Sequence, residues 1–167
     1  MQRNRVRRLS SAMSARPPNV LHIFVASKRG AAMSSLSSVE AIAGVGLAGD
    51  RYVEAKNRRG PDYEVTLIES ENIEAFAKAT GRELAPEMPR RNIVTVGVRL
   101  NPLVGEQFSI GHAVFEGLEL CEPCGLFAKR TYREVLDFFR GKGGLRARIV
   151  AGGMLSVGDS VDRMPEG

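Results

Sequence analysis

The chain has 167 residues and a mass of 18.2 kDa, with 43% apolar and 26% charged residues. That is the size of one domain with enough apolar chain for a buried core, which excludes wholesale disorder, a collagen-like repeat and a disulfide scaffold. The net charge of +5 is carried by positions 1–30, which hold seven basic and no acidic residues. The remainder has 17 basic against 19 acidic residues and no basic–aromatic interleaving, so no nucleic-acid partner is expected.

Met1–Pro18 is rich in Arg and Ser and ends in Pro17-Pro18. It reads as a disordered arm or an organellar transit peptide, or as an extension preceding a start at Met13. No apolar run approaches the ~20 residues that span a bilayer, so neither a membrane segment nor a secretory signal is expected. Residues 1–19 are read as a tail, 20–163 as a single domain and 164–167 as a second tail.

Val20–Ala26 is a short β-branched run and reads as a strand, as does Val39–Ala43. Gly44, Gly46 and Gly49 match G-x-G-x-x-G. That fingerprint binds a dinucleotide only where a helix N-terminus follows to face the pyrophosphate. Asp50–Asp62 has no amphipathic period and reads as a loop, so these are turn glycines. Tyr63–Glu69 is strand-like, and Ser70 is positioned to cap a helix through Thr80 that buries Ile73, Phe76 and Ala77 before Gly81. Asn92–Val96, Gln107–Ile110 and Ala113–Leu120 read as strands. Thr131 and Glu134 have capping-box spacing ahead of a helix burying Val135, Leu136, Phe138 and Phe139. Leu145–Val150, Gly152-Gly153 and Met154–Val157 read as a hairpin, followed by a last short strand. About eight short strands and two helices, without regular alternation, predict a mainly β fold: a twisted barrel or sandwich with helices at its ends.

The only cysteines stand in Cys121-Glu122-Pro123-Cys124. A zinc site needs two further ligands, and His22 and His112 have no ligand spacing to the pair. A thioredoxin-like dithiol needs a helix directly after the pair, which the predicted cap at Thr131 places too late. Two small buried residues are the bland alternative, but Pro123 and Gly125 favour a loop. A functional thiol is the reading retained. Basic groups gather at strand mouths: Asp50-Arg51, Arg90-Arg91-Asn92, and Lys142, Arg146 and Arg148. Arginine presents a planar fork of donors suited to a phosphate or a polar heterocycle.

Gly46–Tyr52, Val65–Ile68, Arg90–Thr95, Leu103–Gly105, Phe108–Gly111, Cys121–Cys124, Gly143–Arg148 and Gly158-Asp159 follow one another in an order and spacing that resembles a stand-alone MOSC domain, the family named for the C-terminal domain of molybdenum-cofactor sulfurase. The resemblance spans roughly residues 20–163. It implies a β-rich, barrel-like fold and a cysteine, Cys124, that carries sulfur or ligates molybdenum. It implies a pyranopterin molybdenum cofactor faced by Arg90 and Asn92, onto which the family's R-x-N motif maps; with Arg91, Asp50, Arg51, Arg146 and Arg148, read above from the strand mouths, these make up the expected cofactor-binding set. Cys121 is an additional thiol that could pair with Cys124 or resolve a persulfide on it. At the level of the family, pyridoxal phosphate binding, a sulfur donor or reductase partner and a cytoplasmic location are also implied. The expected chemistry is sulfur transfer or reduction of N-hydroxylated compounds, with a non-enzymatic persulfide carrier or a dithiol oxidoreductase as alternatives.

Overall fold

The computed structural model describes residues 16–166, and the reading of the Arg/Ser-rich segment before Arg16 lies outside them. Eleven strands and three α-helices occur among the described residues. In chain order they are β1 (Asn19–Val25), β2 (Ser34–Leu36), β3 (Ser38–Ile42), β4 (Gly46–Leu47), β5 (Val65–Glu69), α1 (Ser70–Thr80), β6 (Ile93–Val96), β7 (Gln107–Ile110), β8 (Ala113–Leu120), α2 (Gly125–Arg130), α3 (Val135–Phe138), β9 (Leu145–Ala151), β10 (Gly153–Ser156) and β11 (Val161–Arg163). Eight strands form one sheet in the order β11–β7–β8–β9–β5–β6–β1–β2, and β10–β3–β4 form a smaller one. The fold is mainly β, as expected, and it is a twisted sheet, not a closed barrel. The start of β1 and the residue before β11 meet at one bridge, Asn19 to Ser160, flanked by Val20 N–H donating to Asp159 O at 3.0 Å and Val161 N–H to Pro18 O at 3.1 Å.

The ladders between named strands are antiparallel except β5–β6, which run parallel on either side of α1. This is one β–α–β crossover within an otherwise meandering sheet. The sequence reading missed it because the loop between Thr80 and Ile93 separates the helix from its second strand. The strands around the crossover are buried on both faces, which is why they read as continuous apolar runs. Ile23, Leu67 and Ile93 face the inner core with Phe108, Phe115 and Leu145. Their neighbours Phe24, Ile68 and Val94 face outward, under Ile73 and Phe76 of α1 and the aromatics Phe127 and Phe139.

Three local expectations are corrected. First, β9 and β10 do not form a hairpin: β9 lies between β5 and β8, whereas β10 pairs with β3. The chain leaves one sheet for the other at Gly152-Gly153, and a Cβ on Gly153 would stand 2.5 Å from His112 O, so only glycine permits that crossing. Second, Ser70 is the first helical residue, one position too late to cap, and Glu69 holds the cap position without a capping bond. The Glu69 carboxylate instead accepts from Leu100 N–H at 2.8 Å, bracing the loop beyond β6. Third, Thr131 does not open a helix. Its hydroxyl donates to Phe127 O at 2.7 Å and closes α2, which begins directly after Cys124.

Phe139 joins the helices to the outer face of the sheet, fully buried and with ring centroids 5.7 Å from Phe76 and 5.5 Å from Phe127. Phe139→Ala is expected to destabilise the fold by about 3–5 kcal/mol, read as a lower denaturant midpoint with an unchanged slope.

Candidate functional site

The end of β1 and the starts of β5 and β6 lie at one rim of the large sheet, where Arg146 of β9 is in register with Thr66 of β5. Asp50, Arg51, Arg90 and Arg91 stand at that rim, and the segments after β8 and before β9, with the thiols and the Gly-Gly pair, are tied to it by Arg91. Arg91 ties them together. Its guanidinium is buried and meets no carboxylate. Nε donates to Gly143 O at 3.1 Å, Nη1 to Pro89 O at 2.8 Å and Nη2 to Cys121 O at 3.3 Å. The loops before β6, after β8 and before β9 are thereby fixed to one planar group. Gly144, at φ +123°, lies against Leu67 O where a Cβ would collide with the backbone, so the approach of the β9 loop requires glycine.

Asn92 performs the matching task between strands. Its Oδ1 accepts from Thr66 N–H at 3.0 Å and from the Thr66 hydroxyl at 3.2 Å, while Nδ2 donates to Phe24 O at 3.1 Å. Buried Asp50 accepts from Ala26 N–H at 2.9 Å, anchoring the glycine turn to the end of β1. Arg90 is the one non-glycine residue at positive φ among those described, at 59°, and its Nη1 donates to Ala31 O at 2.8 Å. Burial, together with the nearby cations Arg130 and Arg51, pushes its guanidinium below the usual arginine range.

These residues line a cleft of about 110 Å³ together with Arg51, Tyr52, Tyr63, Thr66, Cys121 and Arg146. Asp50 is its single carboxylate. Arg51 lies over the Tyr52 ring at 4.4 Å and Arg146 over Tyr63 at 5.2 Å, so aromatic faces hold the cations in place. Arg146 also donates to Asp62 O at 3.1 Å and stands 3.7 Å from Glu119. The predicted loop over 50–62 consists of three short 3-10 turns, Arg51–Val53, Ala55–Asn57 and Pro61–Tyr63, and forms the cleft's outer wall.

Of the predicted site residues, Asp50, Arg51, Arg90, Arg91, Asn92 and Arg146 are brought together here. Arg148 is not among them. It is exposed and donates to Glu116 at 2.9 Å, which together with that carboxylate's charge raises its pKa. Both thiols are free. Cys121 lines the cleft and is 2% exposed, whereas Cys124 is exposed, three residues along. Tyr52 and Tyr63 were missed by the sequence reading because their contribution comes from a loop folding back over a distant rim, and Thr66 because it reaches the cleft through strand pairing beside Asn92. Among the described residues no group of three or more His, Cys, Asp or Glu is placed to hold a metal ion. No helix among them is long and apolar enough to cross a membrane.

Arg91→Met should cost roughly 3 kcal/mol, because three buried carbonyls lose their donor. Arg91→Lys should recover little of it, since one ammonium cannot serve three directions. Thermal denaturation of both variants checks this. At the other side of the 51–63 wall, buried Glu64 accepts from Ile149 N–H at 2.6 Å, and burial raises its pKa. The folded protein therefore binds this proton more tightly than the unfolded chain. Stability should fall as pH rises from the ordinary glutamate range through the raised Glu64 pKa. That component should vanish from the pH profile of Glu64→Gln, followed by denaturant titration.

The fold resembles solved structures at low sequence identity. YUAD protein from Bacillus subtilis superposes with a TM-score of 0.74 at 14% identity, covering 89% of this chain and 97% of that one. YiiM from Geobacillus stearothermophilus gives 0.73 at 15%, covering 90% and 77%, and YiiM from Escherichia coli 0.67 at 17%, covering 89% and 71%. Such identities speak to the fold alone. No curated protein matches the sequence significantly. The MOSC domain profile matches residues 54–162, from the wall of the cleft through the last strand and well over half of the sequence, and the chain belongs to the MOSC domain family.

Proposed function

We propose that this MOSC domain binds a phosphate-bearing pyranopterin, the molybdenum cofactor, in the arginine-lined cleft, and uses a cysteine thiolate beside it for sulfur transfer or for reduction of N-hydroxylated compounds. The observation that carries this reading is the convergence of Arg51, Arg90, Arg91 and Arg146 on one cleft with a single carboxylate. A guanidinium cluster with so little counter-charge suits an anionic ligand. The donor set is also consistent. Without three protein ligands in place, a metal here would have to arrive with most of its own, as a pyranopterin dithiolene provides.

Arg90 and Arg51 would hold the phosphate, and Arg146 would cover the edge nearest Tyr63. Arg91 and Asn92 act through the backbone, keeping the loops at the spacing the ligand needs. Cys124 is the thiol assigned to the chemistry: it is exposed, and it lies in the chain between Cys121 of the cleft and Leu126 of the groove outside it. A thiolate is a soft ligand and a sulfur nucleophile. When bound, the cofactor supplies two-electron redox chemistry and exchange of oxygen or sulfur at molybdenum.

A second reading, a persulfide carrier with no resident cofactor, is favoured by the exposure of Cys124, which leaves its sulfur open to a partner protein. The two separate by metal and pterin analysis of protein purified without oxidant from a host that makes the cofactor. Near-stoichiometric molybdenum is expected in the parent, at least tenfold less in Arg90→Ala, and none in Cys124→Ser. Full retention in Cys124→Ser removes the ligand role. Absence of metal and pterin from the parent, with a persulfide mass increment on Cys124, establishes the carrier.

A further inference from the structure

The cleft does not end at Arg90. It opens into a groove of about 400 Å³ that shares Arg51, Tyr52, Tyr63 and Arg90 with it. The far bank is the exposed run Lys56, Arg58 and Arg59, and the near bank carries Arg29 and the exposed apolar side chain of Leu126. No carboxylate lines this groove. Lys56 is paired with Glu54 at 3.1 Å, but Arg29, Arg58, Arg59 and Arg90 have no ion-pair partner among the described residues. The inner cleft has room for little more than one anionic group and its immediate attachment. The cations therefore continue past the point where a single phosphate would be satisfied.

Like charges on adjoining banks repel, and a surface with no binding role ordinarily intersperses them with carboxylates. Here they are segregated. Glu54 pairs with Lys56, and the other carboxylates of this stretch of chain, Asp62 and Glu64, are also absent from the groove lining. Glu64 bonds inward to Ile149 N–H. The Tyr63 ring stands between the banks, 5.2 Å from the Arg146 guanidinium and 5.9 Å from that of Arg59, and so spans the inner cleft and the outer bank.

We propose that the groove is a second anion subsite, so that the ligand of this chain carries a diphosphate rather than a terminal monophosphate, with Arg58 and Arg59 on the outer phosphate and a nucleoside-like group beyond it near Leu126. This deepens the cofactor reading and rests on it for the inner phosphate. The ligand class is a nucleoside diphosphate or a cofactor extended through one.

The test is calorimetric binding of inorganic phosphate, inorganic pyrophosphate and ADP to the full chain at fixed ionic strength. Pyrophosphate and ADP are expected to bind at least about tenfold more tightly than phosphate, the margin of one added charge-assisted contact. The Arg58→Ala/Arg59→Ala double variant should lose that margin and leave phosphate binding within twofold of the parent. Both side chains are exposed and unpaired, so the variant is expected to fold. Arg58→Lys/Arg59→Lys should keep most of the margin, separating charge from loop structure. Equal affinity for phosphate and ADP in the parent overturns the subsite, as does a margin that survives the alanine pair. So does a single-stranded oligonucleotide that binds more tightly than ADP through the same two arginines. If the margin depends on Arg58 and Arg59 while Arg90→Ala leaves phosphate binding unchanged, the subsite stands and the assignment of the inner cleft fails.

Discussion

The buried guanidinium of Arg91 is the contact on which the geometry of the rim depends. Three loops with no strand pairing of their own converge on it through backbone carbonyls at Pro89, Cys121 and Gly143. A carboxylate in any of these places would have neutralised the arginine and fixed one loop. Three carbonyls leave its charge intact and fix all of them. The charge then contributes to the cleft's potential while the donors serve as scaffold. Asn92 extends the same arrangement by one residue, bonding Thr66 on one side and Phe24 on the other. The pair of side chains at the start of β6 therefore positions β1, β5 and the two loops that carry the thiols and the Gly-Gly segment.

The sheet beneath explains why this rim is stiff enough to hold a cluster of like charges. β1, β5 and β6 are buried on both faces, between the inner core and the aromatic layer of Phe76, Phe127 and Phe139. Movement at their ends would disturb packing on two sides at once. The parallel β5–β6 pair needs α1 to cross over it. That requirement puts the helices on the face opposite the inner core and leaves the rim open. One helix then reaches back toward the cleft: α2 begins directly after Cys124, and Phe127 within it stands 6.0 Å from the Arg91 guanidinium.

Much of this was legible in the sequence, and the reasons differ by element. β7 and β8 and the span of α1 fall where the apolar patterns place them, because each buries one side and alternates or repeats accordingly. The β5–β6 crossover was invisible because parallel pairing is decided by packing across a long loop, not by either strand's own pattern. α2 was invisible because six residues give too short a period to read, and because Thr131 looks like a start when its hydroxyl in fact closes the preceding helix. Among the site residues, Arg146 and Arg148 illustrate the limit. Two apart on one strand, they share a face, yet Tyr63 and Asp62 draw the first to the cleft while Glu116 holds the second outside it. The near-neutral charge sum over residues 31–167 conveyed still less, since a sum over sequence does not record that arginines from positions 51, 58, 59 and 90 line one groove.

That gathering has an energetic consequence for the empty and filled states. Arg90 is the residue most affected: it sits at a positive φ that a non-glycine residue adopts at some cost, and its pKa is lowered by burial and then by the charges of Arg130 and Arg51. The fold tolerates this because Ala31 O accepts one of its protons and Asp50 supplies a single compensating charge nearby. An anion entering the cleft would relieve repulsion among all of these groups at once. A ligand with one negative group relieves the inner cations and leaves Arg58 and Arg59 facing Arg29 across an unfilled groove. A ligand with two satisfies both banks. In the proposed reading, charge segregation of this kind would make affinity grow with the number and spacing of anionic groups more steeply than with apolar area, and would place the selectivity of the site in the wall formed by residues 51–63.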